Sequence, residues 1–441
     1  MNCLKCPSYN SCNKWKEFVL AHSKLKSYAH FDQQVSLAMP SILTYVMNTR
    51  KIASHSFYPF VHFTKTISRF GKKTPKKREL YYCAHLDRCV YQRYAFLLNQ
   101  QYNILVQNKG INDVAVAYRD NLGKNNIDFA KDAFENIKLR NKCMIIVGDF
   151  TNFFDTLDHQ YLKDRWCDLL NGQQLPNDHY AVFKNITRFA SWDWKLLVKQ
   201  IGHNITECGI RKKINKQKLL LSKEEFDKYK KCIEKNKKSF GIPQGSPISA
   251  VLSNIYMILF DEQINNYISQ NNGKYMRYSD DFIIILPYTS EKDIDVHYNF
   301  VQGCVNNVKN LDLQQEKTSI YIFDNETILK YPTKEFTKID YLGFLFDGKK
   351  IKIRPKSITK YYYRMHRKAH NIGKNNWHTF DGKFLSAKKL YEIYSTGGSK
   401  QTFIDYAKKA TRILKLDDPE SKALIKNHKR KISKAIKSKK D

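Results

Sequence analysis

Apolar residues along this chain are gathered into short runs that end in carboxylates or glycine-rich turns. Phe282-Ile283-Ile284-Ile285-Leu286 follows directly on Tyr278-Ser279-Asp280-Asp281. Five consecutive apolar residues read as a buried strand, so the paired aspartates sit at the turn where that strand begins. A second apolar run, Ile145-Ile146-Val147-Gly148, delivers Asp149 at its end. Between the two lies Gly241-Ile242-Pro243-Gln244-Gly245-Ser246-Pro247-Ile248-Ser249, whose glycines and prolines predict a turn where backbone can approach a flat ligand closely. An apolar, helix-like stretch from Ala250 to Phe260 puts that turn against a helix N-terminus. Helical spacing is also read at Gln160–Leu170 and over Lys212–Lys238, the latter as a solvated insertion rich in Lys and Glu. No apolar run approaches the roughly 20 residues of a membrane span.

Charge changes this picture most at the C-terminal end. The chain of 441 residues carries 76 Lys+Arg against 42 Asp+Glu, a net charge of +34. Residues 351–441 hold 25 Lys/Arg and 7 Asp/Glu, a difference of +18, so over half the excess lies in the last fifth. So basic a chain repels itself without a polyanion, and nucleic acid is the expected partner. Tyr361-Tyr362-Tyr363-Arg364-Met365-His366-Arg367-Lys368 interleaves aromatics with cations. That pattern suits phosphate contact by Arg364, Arg367 and Lys368 with stacking by the tyrosines, and equally suits a solvated helix face with buried tyrosines. The region is expected to be mostly helical, with a tail from Lys422 that orders on RNA.

Ten cysteines without a disulfide-type repeat point to a reducing, intracellular setting. Cys3, Cys6 and Cys12 have spacing compatible with a zinc or iron–sulfur centre, which His22, Cys83 or Cys89 could complete, or are three free thiols; there is no second Cys-x-x-Cys. The residues after Met1 lack the apolar core of a signal peptide.

The chemistry follows from the carboxylates. Adjacent aspartates repel, and a divalent cation offsets this best, because hard cations take carboxylate oxygens. Acidic ligands from separate strands are what two-metal phosphoryl transfer needs, with the cations roughly 3.5–4 Å apart. Asp149 and Asp280 are the expected ligands, with Asp281 supporting and the Phe150 backbone adjoining.

The order aspartate–aromatic, Pro-Gln-Gly-Ser-Pro, Tyr-Ser-Asp-Asp resembles the palm of a reverse transcriptase. Glu316-Lys317-Thr318 resembles the segment carrying that family's candidate proton donor, Lys317. Tyr341-Leu342-Gly343-Phe344 resembles its primer grip. Lys77-Arg78-Glu79-Leu80 and His85-Leu86-Asp87-Arg88 resemble the first fingers segments. The likeness spans roughly residues 70 to 350. It implies an α+β right-hand polymerase: N-terminal segment and fingers over 1–140, palm of antiparallel sheet backed by helices over 141–345 with an insertion near 160–240, and a basic helical thumb and tail over 346–441. It also implies two Mg²⁺ ions (Mn²⁺ substituting), dNTP as substrate, an RNA template and a DNA product. Arg78 matches the triphosphate contact, Gln244 and Gly245 line the nucleotide pocket, and Phe154, five residues after Asp149, matches the steric gate. An aromatic there crowds the 2′-hydroxyl, which favours deoxynucleotides. Lys76, Lys77 and Arg119 are candidate template contacts, with Arg119 equally able to pair with a carboxylate.

The closest resemblance is to the bacterial "unknown group" reverse transcriptases, which include defence-associated members. Val116-Ala117-Tyr118-Arg119, Asn152-Phe153-Phe154-Asp155-Thr156-Leu157-Asp158-His159 and Leu175-Pro176-Asn177-Asp178-His179-Tyr180 carry it. This implies a bacterial cytoplasmic protein acting with a non-coding RNA in anti-phage defence. No retron-type Asn-Ala-x-x-His or Val-Thr-Gly segment is present, and no His-Asn-His-like cluster. Two other functions share the same residues: an RNA-binding scaffold, and template-independent synthesis. The carboxylates argue against a pure scaffold. Oligomeric state, priming group and template identity are not legible.

Overall fold

A computed structural model describes residues 13–67, 74–207, 209–374, 387–396 and 401–437, together with 378, 382, 384 and 398. The Cys3, Cys6 and Cys12 segment lies outside the described residues. The architecture is α+β, with antiparallel sheets and many helices. The chain forms two compact units interleaved along the sequence. One comprises residues 1–121, 150–265 and 301–313; the other comprises 122–149, 266–300 and 314–441.

The second unit is built on a six-stranded antiparallel sheet. Its strands, in spatial order, are Glu335–Phe336, Thr327–Tyr331, Ser319–Asp324, Lys142–Asp149, Asp281–Leu286 and Lys274–Tyr278. The two apolar runs of the sequence are therefore neighbours, and both lie in the sheet's interior. Their continuous hydrophobicity has a direct cause: helix Asn126–Lys138 joins Ile145, Ile283 and Ile285 in one core through Ile127, Ala130, Phe134 and Ile137. Gly148 faces Phe282 in register, and a Cβ there would lie 2.3 Å from the Phe282 ring, so the strand needs glycine at this point.

A smaller sheet, Ile339–Tyr341, Phe344–Phe346 and Ile351–Ile353, shares this core, as does helix Phe403–Leu414 through Ile404, Ala407 and Ala410. Helices Pro355–Lys374, Ala387–Tyr394 and Pro419–Lys437 complete the expected helical C-terminal region. The last runs past Lys422 as regular helix, burying Leu424, His428, Ile432 and Ala435. The expected RNA-dependent tail is thus a packed amphipathic helix, because its apolar residues recur at helical spacing.

The first unit carries a four-stranded sheet in the order Lys76–Tyr82, Phe60–Ile67, Ala190–Asp193, Glu234–Lys235. Its core gathers Phe31, Val61, Trp192, Trp194, Leu197, Ile214, Leu220 and Leu221. Helix His159–Leu169 matches the expected one closely. The 212–238 stretch does not form one long helix. It holds a capped helix at Lys223–Tyr229 with no buried residue, a 3₁₀ turn at Lys230–Cys232 and a two-residue strand. Ile214, Leu220 and Leu221 enter the core of the first unit, while the helix Lys223–Tyr229 buries none of its residues. The Ala250–Phe260 stretch is split at Met257 between helices Ser249–Tyr256 and Ile258–Gln270. No helix among the described residues is long and apolar enough to cross a membrane.

Candidate active site

Tyr278 and Asp281 close a two-residue turn between the last strands of the six-stranded sheet, with Ser279 and Asp280 at its tip. Ser279 has φ +64°, the left-handed region that non-glycine residues enter at a cost. Arg277, fully buried on the strand before the turn, holds it by donating Nη1–H to the Ser279 carbonyl at 2.9 Å. This arginine was not singled out from sequence. The signal was a guanidinium two residues before the Ser279–Asp280 turn, flanked by Met276 and Tyr278.

Asp149 ends the neighbouring strand as the register partner of Asp281. Directly opposed residues of an antiparallel pair project to the same face. Asp149 is 5 % exposed, while Asp280 and Asp281 are half-buried. One carboxylate oxygen of Asp149 is in contact with the Lys317 ammonium; the other, Oδ1, is buried with no hydrogen-bond partner. The segment after Asp149 is pinned by the Gln314 N–H, which donates to the Asp149 carbonyl at 2.8 Å. Lys317 is 44 % exposed along its side chain, so its other face remains open to solvent. Among the described residues no ready-formed group of three or more His, Cys, Asp or Glu stands as a metal cage. The donor set still fits a hard cation: an orphaned buried carboxylate oxygen opposite a second carboxylate is costly unless a cation takes it.

The first unit assembles a second group of expected residues. Asn152, at φ +45°, starts the short helix Phe153–Thr156. The separation of Phe153 from Phe154 is therefore helical. Phe153 is buried on Phe150 with ring centroids 5.8 Å apart; Phe154 stays half-buried. The Ile242 N–H donates to the Phe154 carbonyl (2.9 Å), and the Gly241 N–H to the Leu157 carbonyl (2.8 Å). His159 Nε2 lies 2.8 Å from the Gly241 carbonyl, and burial lowers its pKa, so the neutral ring donates that hydrogen bond.

Across this loop, the Tyr81 N–H donates to the Gln244 carbonyl at 2.9 Å. Gly245 has φ +115°, and a Cβ there would lie 2.3 Å from the Tyr81 carbonyl. The Gln244–Gly245 turn is thus laced to the strand that carries Lys76, Lys77 and Arg78. Lys77 and Arg78 are exposed. Asp155 lies nearby, its carboxyl pushed up by burial and by the charge of Glu79.

Other expected contacts divide by burial. Arg119 is 7 % exposed, and its guanidinium donates to Asn103 Oδ1 (2.8 Å), Asn112 Oδ1 (2.6 Å) and the Ala115 carbonyl (3.3 Å). It follows a loop with no strand, and ties that loop to helix His85–Asn108. Of the two readings left open for Arg119, template contact or a carboxylate partner, these bonds show neither: the donors named face amide and carbonyl oxygens of the protein. Tyr341 is also core, while Leu342 and Gly343 form the turn between two strands, both with positive φ. Asn126 Nδ2 donates to the Leu342 carbonyl at 3.0 Å and fixes that turn. On helix Pro355–Lys374, Tyr361, Met365 and Ala369 point inward at intervals of four. Tyr363, Arg364 and Arg367 face outward, with the Arg367 guanidinium 5.6 Å from the Tyr363 ring centre; Lys368 is half-buried. The tyrosine run therefore splits three ways: Tyr361 in the core, Tyr362 half-buried, and Tyr363 58 % exposed.

A family model described as "Reverse transcriptase (RNA-dependent DNA polymerase)" matches residues 72–346. No curated protein matches the chain. Similar solved structures include an apo telomerase from Candida tropicalis truncated from the C-terminal domain, at 13% identity and TM-score 0.42, covering 77% of this chain and 65% of that one. Another is a telomerase from Candida albicans in complex with a TWJ fragment of telomeric RNA, at 14% identity and TM-score 0.42, covering 96% of this chain and 65% of that one. The chain thus spans just under two thirds of the length of these relatives.

Proposed function

This chain belongs to the reverse transcriptase (RNA-dependent DNA polymerase) family, and on that premise we propose that it copies an associated non-coding RNA into DNA by two-metal nucleotidyl transfer. The observation that carries the proposal is the pairing of Asp149 with Asp281 across two buried strands, with one Asp149 oxygen buried and unpartnered. A carboxylate in that position is destabilising for a pure scaffold and useful to a polymerase.

Asp149, Asp280 and Asp281 are assigned as the ligands of two Mg²⁺ ions, adjoined by the Phe150 backbone. Bound there, the cations supply charge neutralisation at the reacting phosphate and acidify the primer hydroxyl. The chain's own residues do the rest. Lys317, in contact with Asp149, is assigned as the general acid that protonates the departing pyrophosphate. Arg277 holds the Ser279–Asp280 turn, in which Ser279 is left-handed. In the first unit, Arg78 is assigned to the triphosphate, Phe154 to exclusion of the ribose 2′-hydroxyl, and the Gln244–Gly245 turn to the face of the incoming base. Leu342 and Gly343 are assigned to the primer strand. Lys76, Lys77, Arg364, Arg367 and Lys368 are assigned to the nucleic-acid backbone.

A bacterial cytoplasmic setting and a role in anti-phage defence belong to the same proposal, supported by the likeness of the 116–119, 152–159 and 175–180 segments to defence-associated members. The test is to purify the protein from its host and sequence the co-purifying RNA and DNA beside an Asp280→Asn/Asp281→Asn variant. One abundant RNA, with complementary DNA only in the active protein, is expected. DNA unrelated to any bound RNA would replace copying with untemplated synthesis, and bound RNA with no DNA in either sample would favour a scaffold.

A further inference from the structure

The first unit contains a cavity of about 810 Å³ whose lining includes none of the residues assigned above to the metals, the nucleotide or the primer. One wall is the turn after helix Thr49–Ala53; the other is the outer face of helix Asn177–Thr187. That helix buries Val182, Phe183 and Ile186, so its opposite stripe is free to be polar. The stripe carries Tyr180, Lys184, Asn185 and, at the helix end, Arg188, spaced so that all share one side. Lys235, from the edge strand, and Phe57 complete the lining.

The bland explanation is that Lys184 and Arg188 simply answer the negative end of the helix dipole. It accounts for those two charges and for nothing else. Lys184, Arg188 and Lys235 are exposed, and none of them pairs with a carboxylate among the described residues. Three unpaired cations around one hollow repel one another and attract phosphate. Tyr180 is 45 % exposed, with the Lys163 ammonium 5.6 Å from its ring centre. Phe57 is braced by Tyr91, whose hydroxyl also donates to Asn185 Oδ1 and so leaves the Asn185 amide N–H groups as donors. The volume lies within the roughly 300–1,000 Å³ of ordinary ligand pockets.

We propose that this groove binds a nucleotide unit of single-stranded RNA, with its phosphates on Lys184, Arg188 and Lys235 and its base against Tyr180. Unstacked bases laid on aromatic rings, with cations along the backbone, are the general solution for single strands. A dedicated site of this kind anchors a bound RNA by an unpaired segment. The inference takes from the proposed function only that RNA is a partner; its test needs neither dNTP nor catalysis, so the two fail separately.

The experiment measures fluorescence anisotropy of a short labelled oligouridylate against wild type, a Lys184→Ala/Arg188→Ala/Lys235→Ala variant, Tyr180→Ala and a Lys184→Arg/Arg188→Lys swap. All four positions are exposed, and melting curves of each variant confirm the fold. The triple variant is expected to bind about a hundredfold more weakly at low salt, with a log–log salt slope shallower by about 2. Tyr180→Ala is expected to lose about tenfold and to abolish photo-crosslinking of an iodouridine-substituted strand at that residue, while the charge-preserving swap retains binding. Unchanged affinity and slope in the triple variant would overturn the proposal. So would displacement of the strand by free UMP at equal affinity, which would make the groove a mononucleotide pocket.

Discussion

At the scale of single residues, the site's chemistry is concentrated in a few side chains whose surroundings fix their roles. Asp149 is almost fully buried, touches Lys317 with one oxygen and leaves the other without a partner. Asp149→Asn keeps the shape and removes the charge, so nucleotide incorporation should fall about a thousandfold or more while RNA binding persists. Lys317→Ala should lower single-turnover incorporation by about a hundredfold or more, the range of a lost general acid. Rapid-quench measurement of one incorporation separates these from effects on binding. Gly245→Ala acts differently. The new Cβ meets the Tyr81 carbonyl and an unfavourable φ, so the turn must shift against the Lys76–Tyr82 strand. A raised KM for dNTP, with the protein still folded, is the expected outcome of steady-state kinetics.

At the scale of elements, the sequence was most legible where burial on both faces made a run continuous. Ile145–Val147 and Phe282–Leu286 read as strands because no polar residue interrupts them, and both lie in the sheet interior. The Gly241–Ser249 turn was legible from its glycines and prolines. Residues in contact only through long-range packing were not. Arg119 reads in sequence as a template contact or a carboxylate partner, and only the loop folding onto helix His85–Asn108 shows its donors engaged by Asn103 and its neighbours. Arg277 is visible in sequence as a cation just before the acidic turn, but its hold on the Ser279 carbonyl shows only in the fold. Phe153 and Phe154 read equally well as strand or helix, because two adjacent aromatics have no period.

Helix Asn177–Thr187 supplies a pH prediction. His179 is 4 % exposed and accepts a hydrogen bond from Trp166 Nε1 at Nδ1 (3.2 Å), which requires the neutral ring. Burial lowers its pKa to about 4, against the opposing pull of Asp178. The folded state therefore binds fewer protons than the unfolded one between pH 6.5 and about 4. Stability should be fully present above pH 6.5 and decline as acid is added through that window, by roughly 3 kcal/mol from this residue. Denaturant melts of wild type and His179→Gln across the window check it: the variant should show the shallower slope.

At the scale of the whole molecule, the charge of +34 is the dominant fact. It was readable from composition, as was its bias toward the C-terminal fifth. Its placement was not: the tyrosine run in helix Pro355–Lys374 gives Tyr361 to the core and leaves Tyr363 beside Arg367 on the surface. RNA affinity should fall by about a thousandfold between 50 and 200 mM salt, as expected for several phosphate contacts. The interleaving of the two compact units was also illegible, since residues 122–149, 266–300 and 314–441 share one core only through the fold of the sheet.

The central claim is that Asp149 and its partner carboxylates carry RNA-templated DNA synthesis. The most direct measurement is extension of a primer on a defined RNA template by wild type and Asp149→Asn, with RNA affinity measured in parallel. The account predicts template-complementary DNA from wild type, none from the variant, and equal RNA binding by both. Product of unrelated sequence, or equal extension by the variant, would contradict it.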